Sequence, residues 1–305
     1  MRTGLCPGTF VRVRPPVRDL AGKNVFVTGA ASGIGRAVAL QAARDGAVLH
    51  LTDIQADLLA TVAEEATEAG GRVALAEPAD ITDHDAVRRL AAKVTATSGP
   101  MDVVLNVAGI AIWGTVRGLE HEHWRSLVEV NLMGPIHVIE EFVPPMIDAG
   151  RGGQLVNVSS AAGIIAMPWH AAYSATKFGL RGISEVLRYD LRRHRIGVTL
   201  VAPGGVDTGL VQTIRIAGVD SNDRKFRRAR KQFQSHAVSP EKAAEAIWKG
   251  VRRNKYWVYT SVDIRLVHLL QRYFPPGYVL AMRVFNWGAH RVLPAVDDAR
   301  RSDLQ

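Results

Sequence analysis

Tyr173 and Lys177 stand four positions apart within the stretch Ala171 to Leu180. On a helix that spacing puts both side chains on one face, a turn apart. A phenol with an ordinary pKa of about 10 is a poor proton donor or acceptor near neutrality. A neighbouring ammonium favours the phenolate and lowers that pKa. Bringing it near 7 takes about 3 units, or ~4 kcal/mol of differential interaction. A group poised that way can act as a general acid and base. The same pair also recurs by chance on ordinary amphipathic helices, so its meaning depends on the elements that surround it.

The elements upstream supply that context. Asn24 to Thr28 is a short apolar, β-branched run that predicts a buried parallel strand. It leads into Thr28-Gly29-Ala-Ala-Ser32-Gly33-Ile34-Gly35, and then into an Ala-rich helix pattern from Arg36 to Arg44 that ends at Gly46. Glycines permit a tight turn and let backbone approach a pyrophosphate resting at the helix N-terminus. The spacing differs from the commonest dinucleotide fingerprint, and a plain αβ turn is the competing reading. A second strand pattern closes on Asp53, about 20 residues further on, where an acid can accept hydrogen bonds from a ribose and would repel a 2′-phosphate. The expected cofactor is therefore NAD, with NADP less favoured. Arg36 weakens that inference, and Asp53 could instead cap the following helix.

These motifs, in order, make the chain resemble the short-chain dehydrogenase/reductase family from about Gly22 to Val262. The further segments that carry the resemblance are Asp80-Ile81, Asn106-Val-Ala108-Gly109 (with Val107 where the family usually has Ala), Asn131, Val156 to Ser160, and Pro203-Gly204-Gly-Val206-Asp-Thr208. The resemblance implies cofactor contacts from Thr28, Gly29, Ser32, Gly33, Ile34, Gly35, Asp53, Asp80, Ile81, Asn106, Ala108, Gly109, Tyr173, Lys177, Pro203, Gly204, Val206 and Thr208. It implies that Tyr173 is the general acid/base on the substrate oxygen. Lys177 would lower the phenol pKa and hold the nicotinamide ribose, and Asn131 would support a water relay. The family serine stands thirteen residues before the tyrosine, which selects Ser160 to polarise the substrate oxygen. Ser159 would face the other side of an extended strand and satisfy local backbone.

Three segments should surround the reacting carbon: 110–114, 161–170 and 209–217. All are rich in aliphatic and aromatic residues and lack a cluster of charges. The expected pocket residues are Ile112, Trp113, Ile164, Trp169 and Leu210, although residues such as Trp169 and Met167 could equally be packing. The expected substrate is an apolar alcohol or ketone, steroid-, retinoid- or long-chain-like. No metal is expected; His121 and His123, at i and i+2, would not face each other on a helix.

The chain of 305 residues carries a net charge of +9, 47% hydrophobic residues and a single cysteine, Cys6. One cysteine excludes an intramolecular disulfide and suits a cytoplasmic setting, with membrane association as an option. Alternating strands and helices predict an α/β fold, a single Rossmann-type doubly wound parallel sheet with helices on both faces and a C-terminal helical extension. Strands are expected around 24–28, 47–52, 73–76, 102–106, 154–158, 197–202 and 256–261. Residues 1–20 read as a flexible arm, 21–262 as the catalytic domain with a lid at 209–238, and 263–305 as an amphipathic extension. The basic run 224–231 reads as a solvated lid helix or a membrane-surface contact; no nucleic-acid motif accompanies it. The apolar spacing within 262–287 suits packing on the cleft, packing on a second subunit in a homodimer or homotetramer, or contact with a bilayer interface. A cofactor-binding regulatory or peripheral membrane protein without turnover is the alternative to an enzyme.

Overall fold

The computed structural model describes residues 17–207, 215–217, 227, 237–292 and 296. The expected contacts of Thr208 and Leu210, the arm before residue 17, and the basic run apart from Arg227 lie outside the described residues, as does most of the expected lid.

Seven parallel strands form one sheet: β1 (Asn24–Thr28), β2 (Val48–Thr52), β3 (Arg72–Ala76), β4 (Val103–Asn106), β6 (Gly153–Val158), β7 (Ile196–Ala202) and β9 (Trp257–Tyr259). Their order is β3-β2-β1-β4-β6-β7-β9. The chain runs outward from β1 to β3 and then returns to place β4 beside β1, with Val27 opposite Leu105 on one side and Leu51 on the other. In such sheets ligands bind beyond the carboxyl ends of the strands, where the order reverses. All seven expected strands are present. A two-residue parallel pair, β5 (Ile112–Trp113) with β8 (Arg215–Ile216), was not expected, because two residues show no periodicity to read.

Alternation along the strands divides the core. Val25 and Val27 face one layer, built on α1 (Gly33–Arg44), α2 (Ala56–Glu68) and α7 (Pro240–Arg252). Phe26 faces the other layer, with α3 (His84–Ser98) and α5 (Gly134–Ala149). Fully buried Trp248 pins α7 to α1 by donating its indole N–H to the Val38 carbonyl at 3.1 Å. Truncating such a side chain to Ala costs about 3–5 kcal/mol. Between β5 and α5 lie α4 (His121–Val128) and a π-helical turn, Glu129–Met133. The long helix α6 (Ala171–Asp190) follows β6. Beyond β9, α8 (Val262–Tyr273) and α9 (Pro275–Val292) form a helical hairpin. The expected break falls at Phe274, and Pro275 opens the next helix, where its fixed φ is tolerated.

Candidate active site

Six strand ends deliver their following loops to one edge of the sheet. The loop after β1 is compressed to the limit of glycine geometry. Gly29 has φ +67, and a Cβ on Gly35 would fall 1.9 Å from the Gly29 carbonyl oxygen. Ser32, at the N-cap of α1, makes no side-chain cap. The first amides of α1 are thus left without the side-chain partner that helix starts commonly find.

Thr28 proves to be a brace. It is fully buried, and its hydroxyl accepts from the amides of Val107 and Ala108 at 3.1 and 3.2 Å. That ties the β1 and β4 loops together and gives the hydroxyl a positioning role. Asp53 is also engaged: Oδ2 accepts from the Ala31 amide and Oδ1 from the Gln55 amide, each at 3.0 Å. It therefore links the glycine turn to the start of α2, in line with the capping reading of this acid. Asp80 is exposed and folds onto the Thr82 amide and hydroxyl, while Ile81 is buried. Arg36 is held by Glu65 through two bonds of 2.7 Å.

At β4 and β6 the polar residues join across strands. Buried Asn106 donates to Asn157 at 2.9 Å, Asn157 donates to Ser184 at 2.9 Å, and the Asn106 Oδ1 atom has no protein partner. Asn131 lies within the π turn, a geometry that often marks functional sites. Its side chain clamps Ile110 from both sides, accepting from the amide and donating to the carbonyl at 2.9 Å each. Gly109 completes the approach: a Cβ there would sit 2.9 Å from Asn131 Oδ1 and 3.5 Å from Lys177 Nζ.

Tyr173 and Lys177 are buried on α6, and Ser160 lies close enough to the Tyr173 hydroxyl to act on its pKa. Ser159 donates to the Lys177 carbonyl at 3.0 Å, as its assignment to local backbone predicts. Lys177 Nζ donates to the Val158 carbonyl at 3.2 Å and stands 5.7 Å from the Tyr173 ring centre. The phenol does not have the lowered pKa that the spacing alone predicts. Burial pushes it up to about 12, against the smaller opposite effect of Ser160. Burial likewise pulls the Lys177 ammonium down to about 8. Desolvation outweighs pairing because both groups lie inside the protein.

The apolar side of the site is assembled from distant segments. Ile112 packs in the same cluster as Tyr173, and half-buried Trp113 stacks on His170 at 4.3 Å. His170 also meets the Tyr173 ring edge-on at 6.0 Å, and burial lowers its pKa to about 4. Trp169 adopts φ 63 and contacts His290 of α9 at 5.3 Å. Ile164 is 1% exposed and packs with Ala161, Ile165, Ala202 and Ile264 beneath the hairpin. Two contributors escaped the sequence reading. His170 immediately precedes α6 and could have been suspected from that position. Tyr278, whose hydroxyl accepts from the Ala166 amide at 2.8 Å, is 112 residues away and carries no local signal. Pro203 and Gly204 close the rim, with the Pro203 carbonyl accepting from Ala161 and the Gly204 amide donating to Thr260, and Val206 bridges Val238.

A family model described as short chain dehydrogenase matches residues 23–217. A 1-deoxy-11-beta-hydroxypentalenate dehydrogenase of Streptomyces exfoliatus is 33% identical over 249 residues, which is 80% of this chain and 85% of the relative. A short chain dehydrogenase/reductase from Burkholderia phymatum, solved in complex with NAD, superposes with a TM-score of 0.73 at 26% identity, covering 83% of this chain and 95% of its own. A metagenomic short-chain oxidoreductase, solved with NADP, gives 0.63 at 30% identity, covering 79% and 96%.

Proposed function

The chain belongs to the short-chain dehydrogenase/reductase family, and from that premise we propose that it uses NAD to interconvert a lipophilic secondary alcohol and its ketone. That the protein is an oxidoreductase acting on CH–OH groups follows from the family. The observation that carries the finer reading is the buried Tyr173 phenol with half-buried Ser160 beside it, Lys177 on the same helix and an apolar wall of Ile112, Trp113 and His170 around it.

The residues present fit a dinucleotide. The glycine turn leaves room for backbone to approach a pyrophosphate, and the amides at the start of α1 would receive it. Asp53 would face the adenosine ribose, Gly109 would border the nicotinamide half, and Lys177 would hold its ribose. When bound, the nicotinamide accepts or supplies the hydride. Two observations support NAD over NADP. Asp53 follows β2 directly, where an acid would repel a 2′-phosphate. Arg36, the nearby cation that could attract that phosphate, is paired with Glu65.

In the reduction direction Ser160 would hold the substrate carbonyl oxygen and Tyr173 would donate its proton to that oxygen. A buried phenol at about 12 rests protonated, and an alkoxide is a stronger base than a phenolate, so the transfer runs downhill. In the reverse direction Tyr173 would first have to give up its proton towards solvent, and the phenolate would then accept the proton of the alcohol as it is oxidised. Lys177, whose ammonium burial pulls down to about 8, would act as a positioned donor beside the phenol. The Asn131 side chain is consumed by Ile110, so any share it has in a relay would run through the shape it gives the π turn. A homodimer or homotetramer is the assembly that the family resemblance implies, and light scattering would measure it.

The deciding experiment follows NADH fluorescence with NAD or NADP and a panel of lipophilic alcohols, with Tyr173→Phe as control. Turnover with NAD that disappears in the variant is the expected result. Turnover with NADP alone would refute the Asp53 and Arg36 argument. Cofactor binding without turnover on any alcohol or ketone would favour a regulatory binder, the reading to which the unlowered Tyr173 pKa lends some support.

A further inference from the structure

Most amphipathic helices turn their apolar stripe to the core. Helix α8 does the reverse. Val262, Leu266, Leu269 and Tyr273 recur at helical spacing and are 42–73% exposed, while Ile264 and His268 make the inward contacts. Helix α9 repeats the pattern: Leu280, Val284 and Trp287 are 57–64% exposed, and Tyr278 and Met282 pack inward. Exposed apolar surface of this extent marks an interaction site.

The charges beside it select the occupant. Arg265, Arg272, Arg283 and Arg291 are exposed on the two helices, against Asp263 as the single acid in 262–292. A second copy docking through the same patch would bring eight arginines and two aspartates into one interface, an excess of like charge with too few acids to pair it. An anionic lipid surface meets both the apolar stripes and the cations. The Arg291 guanidinium lies 3.8 Å from the Trp287 ring centre and that of Arg272 5.8 Å from Tyr273. Paired aromatic and cationic groups of this kind suit the headgroup boundary. No helix among the described residues is long and apolar enough to cross a membrane, so such contact would lie in the interface.

We propose that the α8–α9 hairpin docks in the interface of an anionic bilayer and admits lipophilic substrate from it. The same helix α9 reaches the site, through Tyr278 to Ala166 and His290 to Trp169. The substrate clause rests on the proposed function; the docking itself does not.

Flotation of the full chain with vesicles of phosphatidylcholine, alone or mixed with phosphatidylglycerol, tests it. The protein should float with the anionic vesicles, and Leu266→Glu/Leu280→Glu/Trp287→Glu should weaken association about tenfold or more, with an unchanged thermal melt and NAD affinity. Should that variant fail to fold, replacing the four arginines by Gln should remove the preference for anionic vesicles. No flotation of the native chain, or flotation unaffected by these changes, would overturn the proposal. So would light scattering in which the Glu variant turns a dimer into monomers while vesicle association is unchanged. Tyr173→Phe should float like the native chain, which separates failure of docking from failure of the enzyme reading.

Discussion

The cofactor side and the substrate side of this site are built by different means. The first is backbone: a glycine turn in which a Cβ would meet a carbonyl oxygen at 1.9 Å, braced by Thr28 and Asp53 through main-chain amides. The second is side chain on side chain, with Trp113 on His170, Trp169 on His290 and Tyr278 under Ala166, drawn from three remote stretches. Backbone geometry admits few residue types at each position. Packed side chains of similar volume can be exchanged at modest cost. The first region is therefore suited to hold an invariant ligand, and the second to set which substrate enters.

Tyr173→Phe, at the junction of the two regions, should have the largest effect: turnover should fall about 10²–10⁴-fold with NAD affinity retained, as read by single-turnover kinetics and a binding titration. Equal loss of both would mean that the tyrosine serves the cofactor side as well. Gly35→Ala should strike the backbone-built region alone. The forced shift should cost about 1–3 kcal/mol and weaken NAD binding, and a variant that binds NAD normally would show that the turn is softer than its geometry implies. A third test asks how rigid the cofactor side is away from the ligand. His50 on β2 is fully buried with neither ring nitrogen partnered, and burial lowers its pKa to about 4, with Arg72 assisting. A lowered histidine pKa favours the unfolded state as pH falls from about 6.5 towards 4, by about 2 kcal/mol at pH 5. His50→Leu should flatten that loss, and thermal melts at pH 7 and pH 5 that drop equally in both proteins would refute the assignment. Tyr278→Phe should have the smallest effect, about 1 kcal/mol for one hydrogen bond. It should appear as a raised KM for lipophilic alcohols with NAD affinity unchanged. A change in NAD affinity instead would erase the distinction between the two regions.

The same distinction governs what could be read from the sequence. The strands, the glycine turn and the Tyr173–Lys177 pair are local patterns, and their spacing or alternation is visible in the chain. The brace made by Thr28 and the clamp of Asn131 on Ile110 are tertiary hydrogen bonds, and residue type alone does not disclose their partners. Ile164 belongs to an apolar loop, and such a residue can face either way; its packing with Ile264 under the hairpin is a tertiary contact that the loop itself does not disclose. The phenol pKa followed the same logic: the helix spacing predicts the pairing, while burial, which spacing cannot report, sets the sign.

The π turn at Glu129–Met133 makes the site vulnerable in a way that no substitution reproduces. Its wider loops hold one residue more than α-helical continuity from α4 to α5 would need. An in-frame deletion of one codon there would let the two helices run on as one, with every apolar residue of the core still in place. The flanking helices would keep their phase, while the residues left in the former turn would be rotated by as much as one residue's step, about 100°. Asn131 would swing off Ile110, and the loop bearing Gly109 would lose its anchor beside Lys177. A gene carrying that lesion would still encode every side chain assigned here to proton transfer, yet its product would have lost the frame that brings them together.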